Sequence, residues 1–251
     1  MACDTCSYAY IGVGKFRLAP YPDINNNTPV GNADALNYQF TLDEKTLADF
    51  TNPGGGTCST VTRITEIPFT LQLRDFCPAN ISLGNLGELT VVTAGTTIVD
   101  EAHTAYHGGA IQLENLADNA AAIVVTNVGG ATTYTLGTDY LVTTEGIEIL
   151  STGTIADGSG VEITYDTLGT TKVDALRLTA QKWIGIFNGI NEANDKRVRI
   201  IMHRMQINPF DQRDIILDDF GTLTLTGKLL KKDANALGNH LSDYITEEMQ
   251  D

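Results

Sequence analysis

Short runs of alternating apolar and polar residues, separated by glycine-containing turns, recur along most of the chain. The clearest run lies within Arg63–Arg74, where four apolar positions share one face: Ile67, Phe69, Leu71 and Leu73. A period of two places successive side chains on opposite faces of a strand. Leu36–Leu42 alternates in the same way, and Arg197–Ile207 is rich in strand-forming residues. The pattern predicts an all-β fold.

Further elements follow from turn and breaker residues. Pro78-Ala79-Asn80 predicts a short helix with Asn80 as a plausible N-cap and an end near Gly87. Two closing strands are predicted at Asp214–Leu217 and Leu223–Leu230, and one or two short helices after Lys231. The segments before residue 91 and after residue 170 are therefore expected to be strands with one short helix.

Charge divides the chain into two parts. Val91–Thr170 holds ten acidic residues and no Lys or Arg, and so carries −10 of the net charge of −15. Ala121–Thr126 and Thr132–Leu136 are predicted to flank a hairpin loop, and Asp139–Thr143 and Ile147–Leu150 to flank a turn at Glu145-Gly146. Short strands separated by turns at such regular intervals predict a small β-sandwich. We interpret residues 91–170 as an acidic β domain inserted into a discontinuous host domain made of residues 1–90 and 171–251.

The composition disfavours several classes of function. An acidic chain is a poor candidate for gripping nucleic acid, because phosphate binding requires a basic surface. The first twenty residues lack the basic and apolar regions of a signal peptide, and the longest apolar run is too short to span a membrane. The protein is therefore expected to be soluble, not membrane-bound, and made in the cytoplasm.

Candidate metal and catalytic residues are few. Four thiols could form a zinc site, but their spacing favours free cysteines: Cys3, Cys6, Cys58 and Cys77. Glu101, His103 and His107 form a second cluster, for which a polar loop is the simpler interpretation. Adjacent acids such as Asp218 and Asp219 more often belong to a solvated turn than to a hydrolase. No cofactor, resident metal or catalytic residue is predicted.

Several segments outside the insert, taken in order, resemble the major tail tube proteins of long-tailed bacteriophages. These segments are the strand Gly12–Leu18, a hairpin with arms Leu36–Phe50 and Arg63–Phe76 around a mobile loop Thr51–Thr62, the helix Pro78–Gly87, and a C-terminal series. The C-terminal series consists of Phe187–Asn191, Arg197–Met205, Asn208-Pro209, Asp218–Gly221 and Leu223–Gly227.

The resemblance implies a structural virion protein and no enzyme. The implied fold of residues 1–90 and 171–251 is a tail-tube β-sandwich or partial barrel with a short flanking helix. Subunits of this family close into rings, expected to be hexameric, and the rings stack into a tail tube that delivers DNA to the host. The implied partners are further copies of the chain, the tail terminator, tape measure and baseplate or tip proteins, and double-stranded DNA that passes through the lumen without specific binding. The implied location is the tail of the virion, with the insert on the tube exterior.

The resemblance also implies roles for particular residues. The inter-ring loop corresponds to Asn52, Pro53, Gly54, Gly55, Gly56 and Thr57. The inner sheet is expected from Leu36–Thr46, Arg63–Arg74, Arg197–Ile207 and part of Asp214–Gly227. Candidate inner-sheet residues are Tyr38, Phe40, Arg63, Thr70, Gln72, Arg74, Arg199 and Arg204. Because four of these are arginines, net charge alone does not predict an acidic channel.

Two other classes of function stay open at the level of sequence. A carbohydrate- or receptor-binding β-sandwich of the virion is the main alternative, although Trp183 is the only tryptophan available for stacking on a sugar ring. A small β-fold hydrolase is the third possibility. A glycan-dependent rise in melting temperature without polymer would favour the binding module, and turnover abolished by one carboxylate substitution would favour the hydrolase.

Overall fold

The computed structural model describes residues 9–51, 53–233 and 241–250, and these ranges fold into two compact units. Unit 1 comprises Met1–Leu89 with Val173–Asp251, and unit 2 comprises Thr90–Lys172. The insert expected from sequence, residues 91–170, differs from unit 2 by one residue at its start and two at its end. The charge discontinuity therefore lies close to a boundary between two packed cores.

The fold is all-β, as predicted. In the described ranges the strands are, in chain order, β1 (Gly12–Pro20), β2 (Thr28–Pro29), β3 (Ala33–Tyr38), β4 (Thr41–Ala48), β5 (Thr57–Glu66), β6 (Pro68–Leu73), β7 (Glu88–Val92), β8 (Thr97–Thr104), β9 (Ala110–Ile111), β10 (Val124–Asn127), β11 (Tyr140–Thr143), β12 (Gly146–Ile149), β13 (Gly160–Asp166), β14 (Thr170–Asp174), β15 (Trp183–Asn191), β16 (Lys196–Ile207), β17 (Leu223–Leu229) and β18 (Ile245–Met249). One helix, α1 (Pro78–Asn85), lies between β6 and β7. No helix among the described residues has the length and apolar character that a membrane crossing requires.

Unit 1 is built on one eight-stranded antiparallel sheet, in the order β2-β1-β15-β16-β17-β6-β3, with β18 pairing to β16. The predicted alternation of β6 is confirmed, because Phe69, Leu71 and Leu73 are buried while Thr70 and Gln72 between them are only half-buried. Those apolar residues join Met202, Met205 and the leucines of β17 in the main core. A smaller cluster of Ala19, Ile184, Ile186 and Ile201 is covered by Tyr21 and Ile24.

Helix α1 begins without a side-chain cap. Cys77 occupies the N-cap position and makes no capping hydrogen bond, whereas Pro78 supplies a backbone angle suited to the first turn. The predicted capping role of Asn80 is wrong: Asn80 lies inside the helix and is buried, and its amide donates to the Val30 and Asp75 carbonyls, both at 2.8 Å. Leu86, at φ 47°, ends the helix in the left-handed conformation.

Unit 2 contains two three-stranded sheets, β10-β13-β8 and β11-β12-β9. Their inward faces share one core of fully buried side chains, which includes Val125, Ile149, Val161, Ile163 and Tyr165. The predicted hairpin around Glu145-Gly146 is confirmed by the pairing of β11 with β12. Thr132–Leu136 forms no strand of its own, but it hydrogen-bonds to β10 through one antiparallel bridge between Thr126 and Thr133. Along its length β10 pairs with β13.

Two elements near the C-terminus differ from the sequence-based expectation. Asp214–Leu217 is irregular chain instead of a closing strand, because no described strand pairs with it. One or two short helices are predicted after Lys231. Residues 234–240 of that segment lie outside the described ranges, and Ile245–Met249 forms β18, which pairs with β16 from Val198 to Met202. The apolar period of so short a segment does not distinguish a strand from a helix.

Candidate functional site

A two-stranded hairpin, β4 with β5, stands apart from the packed cores of unit 1. Its strands pair only with each other, in a register that places Leu42 opposite Ile64. All ten residues of β5 are exposed, and every residue of β4 except Asp43 is exposed too. An isolated two-stranded ribbon is marginally stable in water. The hairpin is therefore an element that a partner would stabilise by covering it.

The hairpin and its base carry six large apolar side chains that solvent reaches. Their exposed fractions run from 48% to 89%, and the residues are Phe40, Leu42, Leu47, Phe50, Val61 and Ile64. Single exposed apolar residues are ordinary on a protein surface, but a concentration of them on one element marks an interaction surface. We call β4, β5 and these side chains the hairpin surface.

The eight-stranded sheet has open backbone edges at both of its ends. At one end, β3 pairs with β6 and with no other described strand. At the other end, the two residues of β2 pair only with Arg17 and Leu18 of β1, and the Val30 amide donates to the Phe16 carbonyl. The first four residues of β1 have no described strand on that side. Unpaired strand edges are templates for another chain. Unit 1 therefore has two edges able to continue the sheet.

The structure places most of the predicted inter-ring loop at the tip of this hairpin. Gly54, Gly55 and Gly56 have φ angles of 108°, 68° and 144°, which favour glycine. Pro53 belongs to the same turn, Thr57 is the first residue of β5, and Asn52 lies outside the described residues. The connection is shorter than the predicted Thr51–Thr62, because the threonine-rich sequence after Thr57 extends the strand.

The predicted inner-sheet residues lie on six different segments. Tyr38 is on β3, Phe40 lies between β3 and β4, Arg63 is on β5, Thr70 and Gln72 are on β6, Arg74 follows β6, and Arg199 and Arg204 are on β16. The Tyr38 and Phe40 rings meet edge to face, with centroids 5.7 Å apart. The Tyr38 hydroxyl donates to Glu247 of β18, and this hydrogen bond, with burial and the nearby charge, raises the pKa of Tyr38 to about 12.

Three of the four candidate arginines are neutralised by carboxylates of unit 1. Arg74 Nη2 lies 2.7 Å from Asp34, and Arg199 Nε donates to Glu248 at 2.9 Å. Arg204 Nη1 lies 2.9 Å from Asp233, and its guanidinium stacks over the Tyr21 ring at 4.9 Å. The positive charge that sequence assigned to these strands is therefore largely balanced within the unit.

One face of the β3-β6-β17 region is mainly polar, with Lys228 as the one charged residue that β6 and β17 contribute to it. Opposite the buried leucines, the ladder aligns Asn37 with Thr70 and Thr226, and Gln72 with Thr224. The residues of β6 and β17 on this face are half-buried. Such a surface offers hydrogen-bonding groups without a strong field, and we call it the polar face.

The candidate metal ligands that the structure describes form no common cluster. Cys58 and Cys77 are free and exposed, and Cys3 and Cys6 lie outside the described residues. His107 Nε2 contacts the Ile155 carbonyl at 2.8 Å, whereas His103 Nε2 contacts Glu101 at 2.7 Å. Across the described ranges, no group of three or more His, Cys, Asp or Glu side chains is arranged to hold a metal ion.

Glu101 instead centres a hydrogen-bond network inside unit 2. The Tyr165 hydroxyl donates to its Oε2 at 2.6 Å, and the Glu114 amide donates to its Oε1 at 2.9 Å. Burial alone would raise the pKa of Glu101, but the hydrogen bonds from Tyr165, the Glu114 amide and His103 hold it below its ordinary value of 4.5. The network joins β8, β13 and the segment after β9.

Replacing Glu101 with Gln should destabilise unit 2 by roughly 1–3 kcal/mol at pH 7, because charged hydrogen bonds are lost from a mostly buried site. A carboxylate whose pKa is lowered by folding stabilises the folded state above its unfolded pKa, and this contribution disappears as pH falls through the folded pKa. The difference between wild type and Glu101→Gln should therefore shrink below pH 4.5. Thermal unfolding of both proteins at several pH values measures this difference in stability.

The matched control for Glu101→Gln is Glu145→Gln, since Glu145 is exposed on the turn between β11 and β12. It should change the melting temperature little at any pH. An equal loss of stability in both variants would mean that the Glu101 network contributes nothing beyond its charge.

Sequence reasoning missed one exposed apolar segment. Ile215 and Ile216 are 85% and 95% exposed, and Phe220 is 92% exposed. The segment was assigned to a strand because of its aliphatic run, but acidic residues on both sides, Asp214 and Asp218, were the available signal for an exposed loop.

A family model described as "Protein of unknown function UCP028589" matches residues 9–248. The match includes both units and extends from the first described residue into β18. No curated protein matches the chain. The description names no activity, and the functional argument therefore depends on the surfaces described above.

Proposed function

The chain belongs to the family described as Protein of unknown function UCP028589, and we propose that it is the subunit of a bacteriophage tail tube. In this proposal identical chains close into rings, hexameric by resemblance, and the rings stack into a hollow tube that delivers DNA. No chain performs chemistry by itself. The observation that carries the proposal is the hairpin surface together with two open sheet edges.

Open sheet edges and an exposed apolar hairpin both favour contacts with further copies of the chain. A sheet with unpaired borders can continue into the same sheet of another copy, which replaces hydration of the edge groups by ladder hydrogen bonds. Because the two edges belong to different strands, β3 and β1, the contact joins unlike surfaces. Contacts between unlike surfaces generate closed rings or open filaments. The hairpin surface then provides apolar area for contacts between rings.

The polar face supports the proposed channel. DNA that slides must meet no strong positive field, because phosphates bind to exposed Lys and Arg. Thr70, Gln72 and their neighbours provide such a lining, and the ion pairs of Arg74 and Arg199 remove charge from adjoining positions. We assign this face to the lumen in the proposal.

Unit 2 is proposed to lie on the tube exterior. Its sequence carries ten carboxylates and one lysine, Lys172, so that it repels the phosphate backbone and also other copies of itself. Placement outside the ring separates these charges. The proposed partners are the tail terminator, tape measure and baseplate or tip proteins, with double-stranded DNA passing through without specific contacts.

Sedimentation velocity over a concentration series tests the proposal. We expect a species of defined subunit number at low concentration and long polymers at higher concentration, and Leu42→Asp should deplete the polymers while leaving the smaller species. A monomer at every concentration would contradict the proposal. If the monomer also gained melting temperature with particular glycans, the carbohydrate- or receptor-binding function would replace it.

A further inference from the structure

The segment between β16 and β17 forms a loop with a bare aliphatic tip. Ile215 and Ile216 are 85% and 95% exposed, and Leu217 is 47% exposed. Two adjacent isoleucines in full contact with water are unfavourable in an isolated chain, since each buried aliphatic side chain contributes substantially to stability. No described residue of the same chain covers this apolar tip, which we call the knob.

Both ends of this loop are fixed to the body of unit 1. At its start, the Phe210 amide donates to the Gly84 carbonyl at 2.8 Å. The Phe210 ring also packs so closely on Gly84 that a Cβ atom at residue 84 would lie 2.1 Å from the nearest ring atom. At its end, the Phe220 carbonyl accepts a hydrogen bond from Arg74 at 3.4 Å. The anchors present the tip outward, so that a partner need not order the whole loop.

A shallow apolar groove of unit 1 lies at the C-terminal end of α1. Its volume is about 230 Å³, and Leu86, Leu89, Leu178 and Trp183 contribute most of its apolar wall, with Ser82 and Gln181 at its polar positions. Leu89 and Leu178 are 43% and 41% exposed. The groove has room for aliphatic side chains and holds none from the described residues of its own chain.

We propose that the Ile215-Ile216 tip of one copy inserts into the Leu86-Leu178-Trp183 groove of a second copy. This inference rests on the self-assembly proposed above and names one of its contacts. The knob and the groove are different surfaces, so each contact leaves one free knob and one free groove. A contact of this kind propagates into a ring or a filament.

Charge complementarity also favours this pairing. Asp214, Asp218 and Asp219 flank the tip, and all three are exposed. Beside the groove, Arg177 precedes Leu178 and is 67% exposed, with its Nε 3.7 Å from Glu88, at the long end of an ion-pair distance. The acidic flanks of the tip can pair with Arg177 of the second copy and orient the insertion.

Trp183 provides a direct readout, because it is the only tryptophan of the chain and lines the groove. In the wild-type chain, assembly should shift Trp183 emission to shorter wavelength as water leaves the groove. A variant with Ile215→Asp and Ile216→Asp should lack the shift and need at least about tenfold more protein to assemble. The control Val128→Asp replaces an exposed valine of unit 2 and should behave as wild type.

A mixing experiment shows whether the contact joins two chains. The loop variant retains Trp183 but cannot supply a tip, whereas a Trp183→Phe chain supplies a tip but emits no tryptophan signal. Adding the Trp183→Phe chain to the loop variant should restore the blue shift. Leu178→Asp in the loop variant should abolish this restoration.

The outcomes separate the inference from the proposed function. If wild type assembles while Trp183 emission stays unchanged, the groove is not a contact and the inference is overturned, although self-assembly stands. If the blue shift is present in the monomer, the tip covers its own groove and the inference is also overturned. If no polymer forms at any concentration, the proposed function itself fails.

Discussion

A chain carrying Leu42→Asp and Ile64→Asp should fold normally and fail to form polymers at concentrations where wild type assembles. The two residues face each other across the β4-β5 hairpin and are 59% and 57% exposed. Because both side chains already meet water in the monomer, charging them should change the melting temperature by no more than about 2 °C.

The size of the assembly defect follows from the apolar area that a partner would bury. Covering an aliphatic side chain contributes about 1.5–3 kcal/mol. Losing two such contributions, and burying two carboxylates in their place, raises the concentration needed for assembly by about a hundredfold or more. Pelleting of polymers over a concentration series measures this threshold.

Val99→Asp is the matched control for the hairpin variant. Val99 is 64% exposed on a strand of unit 2, so the chemical change and the exposure are similar. Its assembly threshold should equal that of wild type. A hairpin variant that still polymerises at the wild-type threshold would exclude the hairpin surface from the contacts between subunits.

Removal of unit 2 should leave unit 1 folded and competent for assembly. The main core of unit 1 draws no side chain from Thr90–Lys172. Strands β7 and β14, which contain the unit boundaries, hydrogen-bond to each other, so a short Gly-Ser linker can join the two chain ends. We expect cooperative unfolding within about 5 °C of the corresponding transition in the full chain.

A core substitution in the full chain provides the complementary measurement. Ile163 is fully buried in unit 2, and Ile163→Ala should lower the free energy of unfolding of that unit by about 2–5 kcal/mol while the transition of unit 1 stays in place. Unfolding of the deletion variant, or a single transition shifted by Ile163→Ala, would contradict independent cores.

The sequence predicts best those strands that have a packed core on one face and a more exposed environment on the other. The alternation in β6 and β13 predicts their buried and exposed positions, because a packed core on one side imposes a strict period of two. The absence of Lys and Arg from residues 91–170 also helped to locate the second domain, because a separately folded domain has its own surface and its own charge composition.

Other elements were decided by tertiary neighbours that sequence does not display. Asn80 has the chemistry of a helix cap, yet the carbonyls of Val30 and Asp75 hold it inside the helix. The aliphatic run at Ile215 satisfies a strand pattern, but no partner strand is present in the described ranges to pair with it.

The candidate site was predicted only in part. The hairpin and its glycine tip were visible from turn residues, whereas the neutralisation of Arg74 by Asp34 joins positions far apart in the sequence. The groove beside Trp183 could not be predicted, because its wall combines the end of a helix with a segment that follows unit 2.

Electron microscopy of the purified full-length protein tests the central claim most directly, namely that strand borders of identical chains join to make a hollow polymer. The account predicts rings of constant subunit number and filaments with a continuous axial channel, in which β3 of one copy continues the sheet of its neighbour. Solid filaments, or particles that stay monomeric at every concentration, would contradict it.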